Sequence, residues 1–207
     1  MKGEISITEL AFEYPDGTKA VDGLNLKISE GESVAILGPN GAGKTTLVMH
    51  LNGIINIQTG EILIGNKEVT ENNLKDIRKE VGIVFQDPEQ QLFMPTVYED
   101  VEFGPRNFGF TEQEVEKNVK KALKQVGMYE YKEKAPHHLS FGQKRKVAIA
   151  TVLASNPNII VLDEPSSNLD PSSRRELINI VKALNSTVVL VTPVSYTHLT
   201  LPTILLV

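Results

Sequence analysis

The sequence predicts an α/β fold, and three observations carry the prediction. Short continuous apolar runs recur at Ser33–Leu37, Ile159–Asp163 and Thr187–Val191, as expected of strands covered on both faces. Segments with helical spacing separate them, the clearest being Thr111–Gly127 with Val115, Val119, Leu123 and Val126 on one stripe. A glycine-rich loop stands between the first of those strands and a helix, the connection that α/β folds use at their sites.

Taken in order, Glu4–Tyr14 alternates apolar and polar residues as a half-buried strand does, and Pro15-Asp16-Gly17 supplies the residue types of a tight turn. Leu24–Ile28 reads as a second strand, Ser33–Leu37 as a buried one, and Lys44–Leu51 as a helix. Strands at Glu61–Ile64 and Gly82–Phe85 flank a helical stretch near 73–80. From about Thr96 to Ser155 the pattern is helical: Thr111 is a natural N-cap, Gly127 a stop, and a further helix starts near Ser140. A strand at Ile159–Asp163, a helix at Ser172–Leu184 and a strand at Thr187–Val191 complete an α/β core around a helical insertion at about 96–155.

Composition narrows the functional classes. Of 207 residues, 41% are apolar and 23% charged, which excludes a disordered or collagen-like chain. With no Cys there is neither a disulfide nor a thiolate zinc site, and the net charge of −5 argues against a broad nucleic-acid face, so no nucleic-acid partner is expected. No run approaches the ~20 apolar residues of a membrane span, and the opening MKGEISITEL lacks the apolar stretch of a signal peptide, so a cytoplasmic location is expected.

Gly38-Pro39-Asn40-Gly41-Ala42-Gly43-Lys44-Thr45 fits G-x-x-x-x-G-K-[ST] in its proper strand–loop–helix context. Glycines let successive backbone N–H groups converge on phosphate, and the helix N-terminus adds its dipole. Lys44 is expected on the β- and γ-phosphates and Thr45 on Mg²⁺, with Thr46 completing the nucleotide-binding set. Ile159–Asp163 runs into Glu164: Asp163 is expected to hold Mg²⁺ through water and Glu164 to act as general base on the attacking water.

Leu139-Ser140-Phe141-Gly142-Gln143, at the head of a helix shortly before that acidic strand, resembles the LSGGQ signature of ABC-type ATPases, and the likeness extends over residues 1–192. The resemblance implies a P-loop NTPase core with an antiparallel β subdomain and a helical subdomain. It implies ATP and Mg²⁺ as cofactors and a second ATPase subunit, identical or paralogous, as partner. Ser140, Gly142 and Gln143 would then face the ATP bound by that partner. Phe141 stands where Gly is commonest and is expected to slow or reorient closure. By the same resemblance Tyr14 stacks on adenine, Gln86 touches Mg²⁺ and senses the membrane partner, and Asp170, in Ser166–Asp170, reaches across the dimer interface. His137 and His138 read as loop residues rather than metal ligands.

Phe85–Phe93 and Thr96–Pro105 resemble the ATPase subunits of energy-coupling factor transporters, with a lean toward cobalt-type members. That implies a peripheral position on the inner face of the cell membrane, membrane-embedded transporter components as partners, and a vitamin or a metal ion such as cobalt or nickel as cargo. Phe85, Leu92, Phe93 and Met94 would either supply apolar contacts to the membrane component or lie in the helical core. Two alternatives stay open: a soluble ABC ATPase without a transport role, and a nucleotide-binding module with impaired turnover.

The second alternative arises from the ending. Residues 193–207 carry no Asp, Glu, Lys or Arg. The family places a switch histidine after Thr192, where this chain has Pro193. Val194–Thr203 reads V-S-Y-T-H-L-T-L-P-T and resembles one translated frame of a transposase-type sequencing adapter. Residues 193–207 are therefore expected to be foreign to the domain, neither a buried strand nor a membrane anchor, and His198 is not expected to be the switch histidine.

Overall fold

The computed structural model describes residues 3–193 and the backbone of 203–206. The chain divides into two compact units: Met1–Ile83 with Asn158–Glu164 and Asn185–Val207, and Val84–Pro157 with Pro165–Leu184.

The first unit holds both sheets. In the antiparallel sheet β1 (Ile5–Glu13) lies between β2 (Lys19–Ile28) and β4 (Thr59–Ile64), with β5 (Lys67–Glu68) at the edge beyond β4. Ile5 sits opposite Ile28 and Ile64, and Ile7 opposite Leu26 and Ile62. The even spacing therefore gathers Ile5, Ile7, Ile28, Ile62 and Ile64 into buried positions, as period-two alternation requires. The second sheet has the order β6 (Val81–Val84), β7 (Ile159–Asp163), β8 (Thr187–Thr192), β3 (Ser33–Leu37), β9 (Thr203–Leu206). β8 pairs in parallel with β7 and with β3, and all three read as continuous apolar runs because neither face meets water. Helices α1 (Lys44–Leu51) and α2 (Leu74–Glu80) belong to this unit.

The ending contributes one strand to the parallel sheet. Thr203–Leu206 is a strand, paired in parallel with β3 from Val34–Thr203 to Leu37–Leu206. The outer edge of β3 offers a row of N–H and C=O groups, and an uncharged Thr-Ile-Leu-Leu run has the β-propensity to satisfy them whatever its origin. Residues 194–202 and 207, including His198, lie outside the described residues.

The second unit is helical: α3 (Val97–Asn107), α4 (Glu112–Gln125), α5 (Phe141–Leu153) and α6 (Pro171–Lys182). Thr96, Thr111 and Ser140 each close a capping box with Glu99, Glu114 and Gln143, so two orphan donors are satisfied at each helix start. Val115, Val119, Ala122 and Leu123 form the buried stripe of α4. The unit is wider than the expected insertion of 96–155, because side chains of α5 bind the chain on either side of it. Arg145 and Gln91 tie the segment after β6 to α5, and Lys146 pairs with Glu176 of α6.

Candidate functional site

The phosphate loop lies in the first unit, between β3 and α1. Gly41 and Gly43 hold φ of 82° and 79°, a left-handed conformation that side-chain-bearing residues rarely adopt. Gly43 has a second reason to be glycine: an added Cβ would stand 1.8 Å from the Ala20 carbonyl oxygen of β2. Gly43 is also the N-cap of α1 and contributes no side-chain cap, so the first turn meets its surroundings with bare N–H groups. Pro39, Asn40 and Gly41 are exposed along the crest, with Ala42 half-buried behind them.

Lys44 is buried, and its Nζ donates to the carbonyl oxygens of Gly38 at 2.9 Å and Pro39 at 2.7 Å. The ammonium thus folds back over its own loop, where it neutralises a turn of carbonyl dipoles. Thr45, on the exposed side of the first turn, donates its hydroxyl to Asp163 Oδ2 at 2.8 Å. That contact joins the phosphate loop to the end of β7 across 118 residues of sequence. A hydroxyl and a buried carboxylate side by side are hard oxygen donors of the type that Mg²⁺ takes, so the donor set fits that ion. Glu164, next after Asp163, adopts φ 41° while its N–H donates to the Val191 carbonyl at 2.9 Å. A left-handed backbone at a glutamate is the kind of local strain that persists where the surrounding structure over-determines it.

Tyr14 stands at the end of β1, part-exposed, with its hydroxyl 2.9 Å from Thr46 Oγ1 and its ring edge-on to Phe12 at 5.0 Å. Thr46 is itself buried, and its carbonyl accepts from Nδ1 of the buried His50 at 2.7 Å. Burial pushes the His50 imidazole below its ordinary pKa and favours the neutral ring. Phe12, 4.9 Å from the His50 ring, completes an aromatic backing behind Tyr14. Sequence reasoning missed both residues. Phe12 sits two residues before Tyr14 on the same strand face, and His50 sits four after Thr46 on the same helix face; that periodicity was the available signal.

Gln86, Ser140, Gly142, Gln143 and Asp170 belong to the second unit. Gln86 is exposed just after β6, and its carbonyl accepts from Arg145 Nη2. Ser140 Oγ accepts from the Gln143 N–H at 3.3 Å, and Gln143 Oε1 accepts from the Ser140 N–H at 3.0 Å. Two donors of the signature, the Ser140 and Gln143 N–H groups, are therefore engaged in the cap of α5, and an anion there would compete with Ser140 for the Gln143 N–H. Gly142 leaves room for Ser173, whose Oγ would stand 3.1 Å from an added Cβ. Asp170 is the N-cap of α6 and accepts from the N–H groups of Ser172 and Ser173. Those bonds, the Ser173 hydroxyl foremost, hold its carboxyl below the usual pKa range.

Phe141 does not project freely: it is half-buried, with the Arg145 guanidinium 5.4 Å from its ring centroid. Phe93 is 63% exposed and Phe103 43%, and they form an edge-to-face pair at 5.0 Å, so Phe93 is not helical core. His137 and His138 are exposed and pack ring against ring. Among the described residues no group of three or more His, Cys, Asp or Glu is placed to hold a metal, and no helix is long and apolar enough to cross a membrane.

A glycine-rich loop on a helix N-terminus, with a strand-end Asp on its Thr and a Glu following, defines a P-loop nucleotide triphosphatase cassette. The chain belongs to the ABC transporter family: the family model of that description matches residues 21–167. It is an ATPase of that family. The energy-coupling factor transporter ATP-binding protein EcfA of Methanocaldococcus jannaschii is 51% identical over 183 residues, covering 87% of this chain and 66% of that protein. The structure of cbiO1 from Clostridium perfringens, described as part of the ABC transporter complex cbiONQ, is similar at a TM-score of 0.83 and 42% identity. That likeness covers 93% of this chain and 79% of the other. The ATP-binding cassette MJ0796, solved as a dimer in a post-hydrolysis state with ADP and Pi, has a TM-score of 0.81 and 31% identity over 91% of this chain and 87% of its own.

Proposed function

We propose that this chain is the ATP-hydrolysing subunit of an energy-coupling factor importer, driving uptake of a transition-metal ion of the cobalt and nickel class or of a vitamin. The observation that carries the reading is the 2.8 Å contact between Thr45 Oγ1 and Asp163 Oδ2, which sets a hydroxyl and a carboxylate side by side at the phosphate loop. The likeness to EcfA and to cbiO1, a part of the complex cbiONQ, supports the transporter class. The exposed Phe93–Phe103 pair supports a peripheral subunit that meets a membrane component through an apolar face.

The loop N–H groups from Gly41 to Thr45 bind the phosphates, and Lys44 exchanges the Gly38 and Pro39 carbonyls for phosphate oxygens. Tyr14 takes the adenine, its ring oriented by Thr46. Thr45 and Asp163 would hold Mg²⁺, and Gln86 would add the metal contact that the resemblance implies. Mg²⁺ held there would supply positive charge that offsets the negative charge of the phosphoryl group being transferred. Glu164 accepts a proton from water as the water oxygen bonds to the γ-phosphorus and the bond to the ADP oxygen breaks. Ser140, Gly142 and Gln143 face the ATP of a second cassette, identical or paralogous, whose own signature faces this ATP, with Asp170 beside that interface. The dimeric MJ0796 cassette supports this arrangement.

Glu164→Gln tests the reading. It keeps shape and removes the base, so ATP affinity is expected within about threefold of the parent while turnover falls by ~10²-fold or more. Unchanged turnover would overturn the assignment of Glu164.

A further inference from the structure

Among the described residues Arg145 is the largest side chain that is almost completely buried, at 1% exposure. It occupies the buried stripe of α5 with Ala148, Ile149 and Val152, where an apolar residue would ordinarily stand. A guanidinium in such a place is stable only where acceptors meet it. They do: Nη1 donates to the Phe85 carbonyl at 2.8 Å and Nη2 to the Gln86 carbonyl. The Phe141 ring covers the guanidinium one helical turn earlier.

Gln91 makes the reciprocal bond from the other side. Its Nε2 donates to the Ala148 carbonyl at 2.9 Å and to Thr151 Oγ1 at 2.7 Å, both on α5, while its Oε1 accepts from the Phe85 N–H at 3.2 Å. Phe85 is thus held at its N–H by Gln91 and at its carbonyl by Arg145. A Lys144–Glu89 ion pair adds a third tie between the same two segments.

We propose that Arg145, seconded by Gln91, is a positioning residue: it locks the backbone of Phe85–Gln91 onto the head of the signature helix, so that Gln86 and the Ser140 cap move as one rigid body. This rests on the reading of Gln86 as a metal contact and of Ser140 as part of the partner-facing signature. Phe141 then acquires a role. In place of glycine it shields the guanidinium from water and strengthens both carbonyl bonds. Neither Arg145 nor Gln91 touches nucleotide in this account, and each acts through Gln86.

Arg145→Lys and Gln91→Ala are compared with the parent by amide hydrogen exchange and by ATP titration with and without Mg²⁺. Lysine keeps the charge but not the fork that spans two carbonyls. Exchange at amides 85–92 is expected to rise on the order of tenfold or more in either variant, with the amides of α1 unchanged. Exchange at 85–92 equal to the parent in both variants would overturn the lock. A rise spread over the whole chain would reduce Arg145 to a general stabilising residue and overturn it equally.

The Mg²⁺-dependent gain in ATP affinity is then read in a cycle with Gln86→Ala. Arg145→Lys is expected to lower that gain by about 3–10-fold alone and to add nothing on top of Gln86→Ala. Full additivity would show that Arg145 does not act through Gln86. If Gln86→Ala alone leaves the gain intact, the metal reading of Gln86 fails while the exchange result still decides the lock.

Discussion

Replacing Gly43 by alanine separates two physical demands that the phosphate loop makes on one residue. The first is conformational: φ of 79° costs a residue with a Cβ about 1–2 kcal/mol. The second is steric. A real Cβ does not approach a heavy atom below 3.0 Å, and the 1.8 Å to the Ala20 oxygen leaves a shortfall of about 1.2 Å. Backbone is in the way, so the start of α1 or the β2 strand must shift, which adds about 1–3 kcal/mol of overpacking. The shift displaces the N–H groups and Lys44 together. Gly41 is the internal control: its φ is 82°, yet nothing lies within 4 Å of an added Cβ. Gly41→Ala is therefore expected to cost about 1–2 kcal/mol, and Gly43→Ala about 2–5 kcal/mol with ATP affinity reduced at least tenfold further. Urea unfolding and ATP titration of the two variants measure both quantities. Equal losses at the two positions would refute the steric argument, because only Gly43 has a neighbour to strike.

Asp100, buried with Oδ1 accepting the Phe93 and Met94 N–H groups, carries a carboxyl raised by burial. Asp100→Ala leaves two donors unpaired and is expected to cost about 2–3 kcal/mol, while Asp100→Asn, which keeps the acceptor without a buried charge, is expected to cost well under half of that in urea unfolding. His50 has a folded-state pKa below its ordinary 6.5, so below that pH the unfolded chain takes a proton that the folded chain refuses. Stability is then lost as the pH falls from 6.5 toward the folded pKa. His50→Gln is expected to flatten this segment of a stability-versus-pH curve, and a curve as steep as the parent's would sink the argument.

The order of the core elements was legible because strands covered on both faces and helices with one wet face leave different periodicities. Thr111 and Ser140 announced their helices because a Ser or Thr followed three residues on by Glu or Gln can close a capping box. The phosphate loop was equally legible, since an anion nest needs glycine at fixed spacing. The Phe93 alternatives could not be settled from sequence, because an aromatic at helical spacing suits a core and an exposed face alike; its exposure excludes the core.

By itself the sequence determined the phosphate loop, the acidic pair at the end of β7, the capped signature helix and the α/β order, all of which depend on residues adjacent in the chain. Tertiary structure alone decided that Thr45 donates directly to Asp163, that Tyr14 leans on Thr46 with Phe12 and His50 behind it, and that Arg145 binds the carbonyls after β6. It also decided that Thr203–Leu206 extends the parallel sheet at β3. The reason is common to all of these: each joins groups whose partners are backbone atoms or distant side chains. A carbonyl oxygen carries no residue identity, so no pattern of side chains along the chain can announce which one an arginine will find.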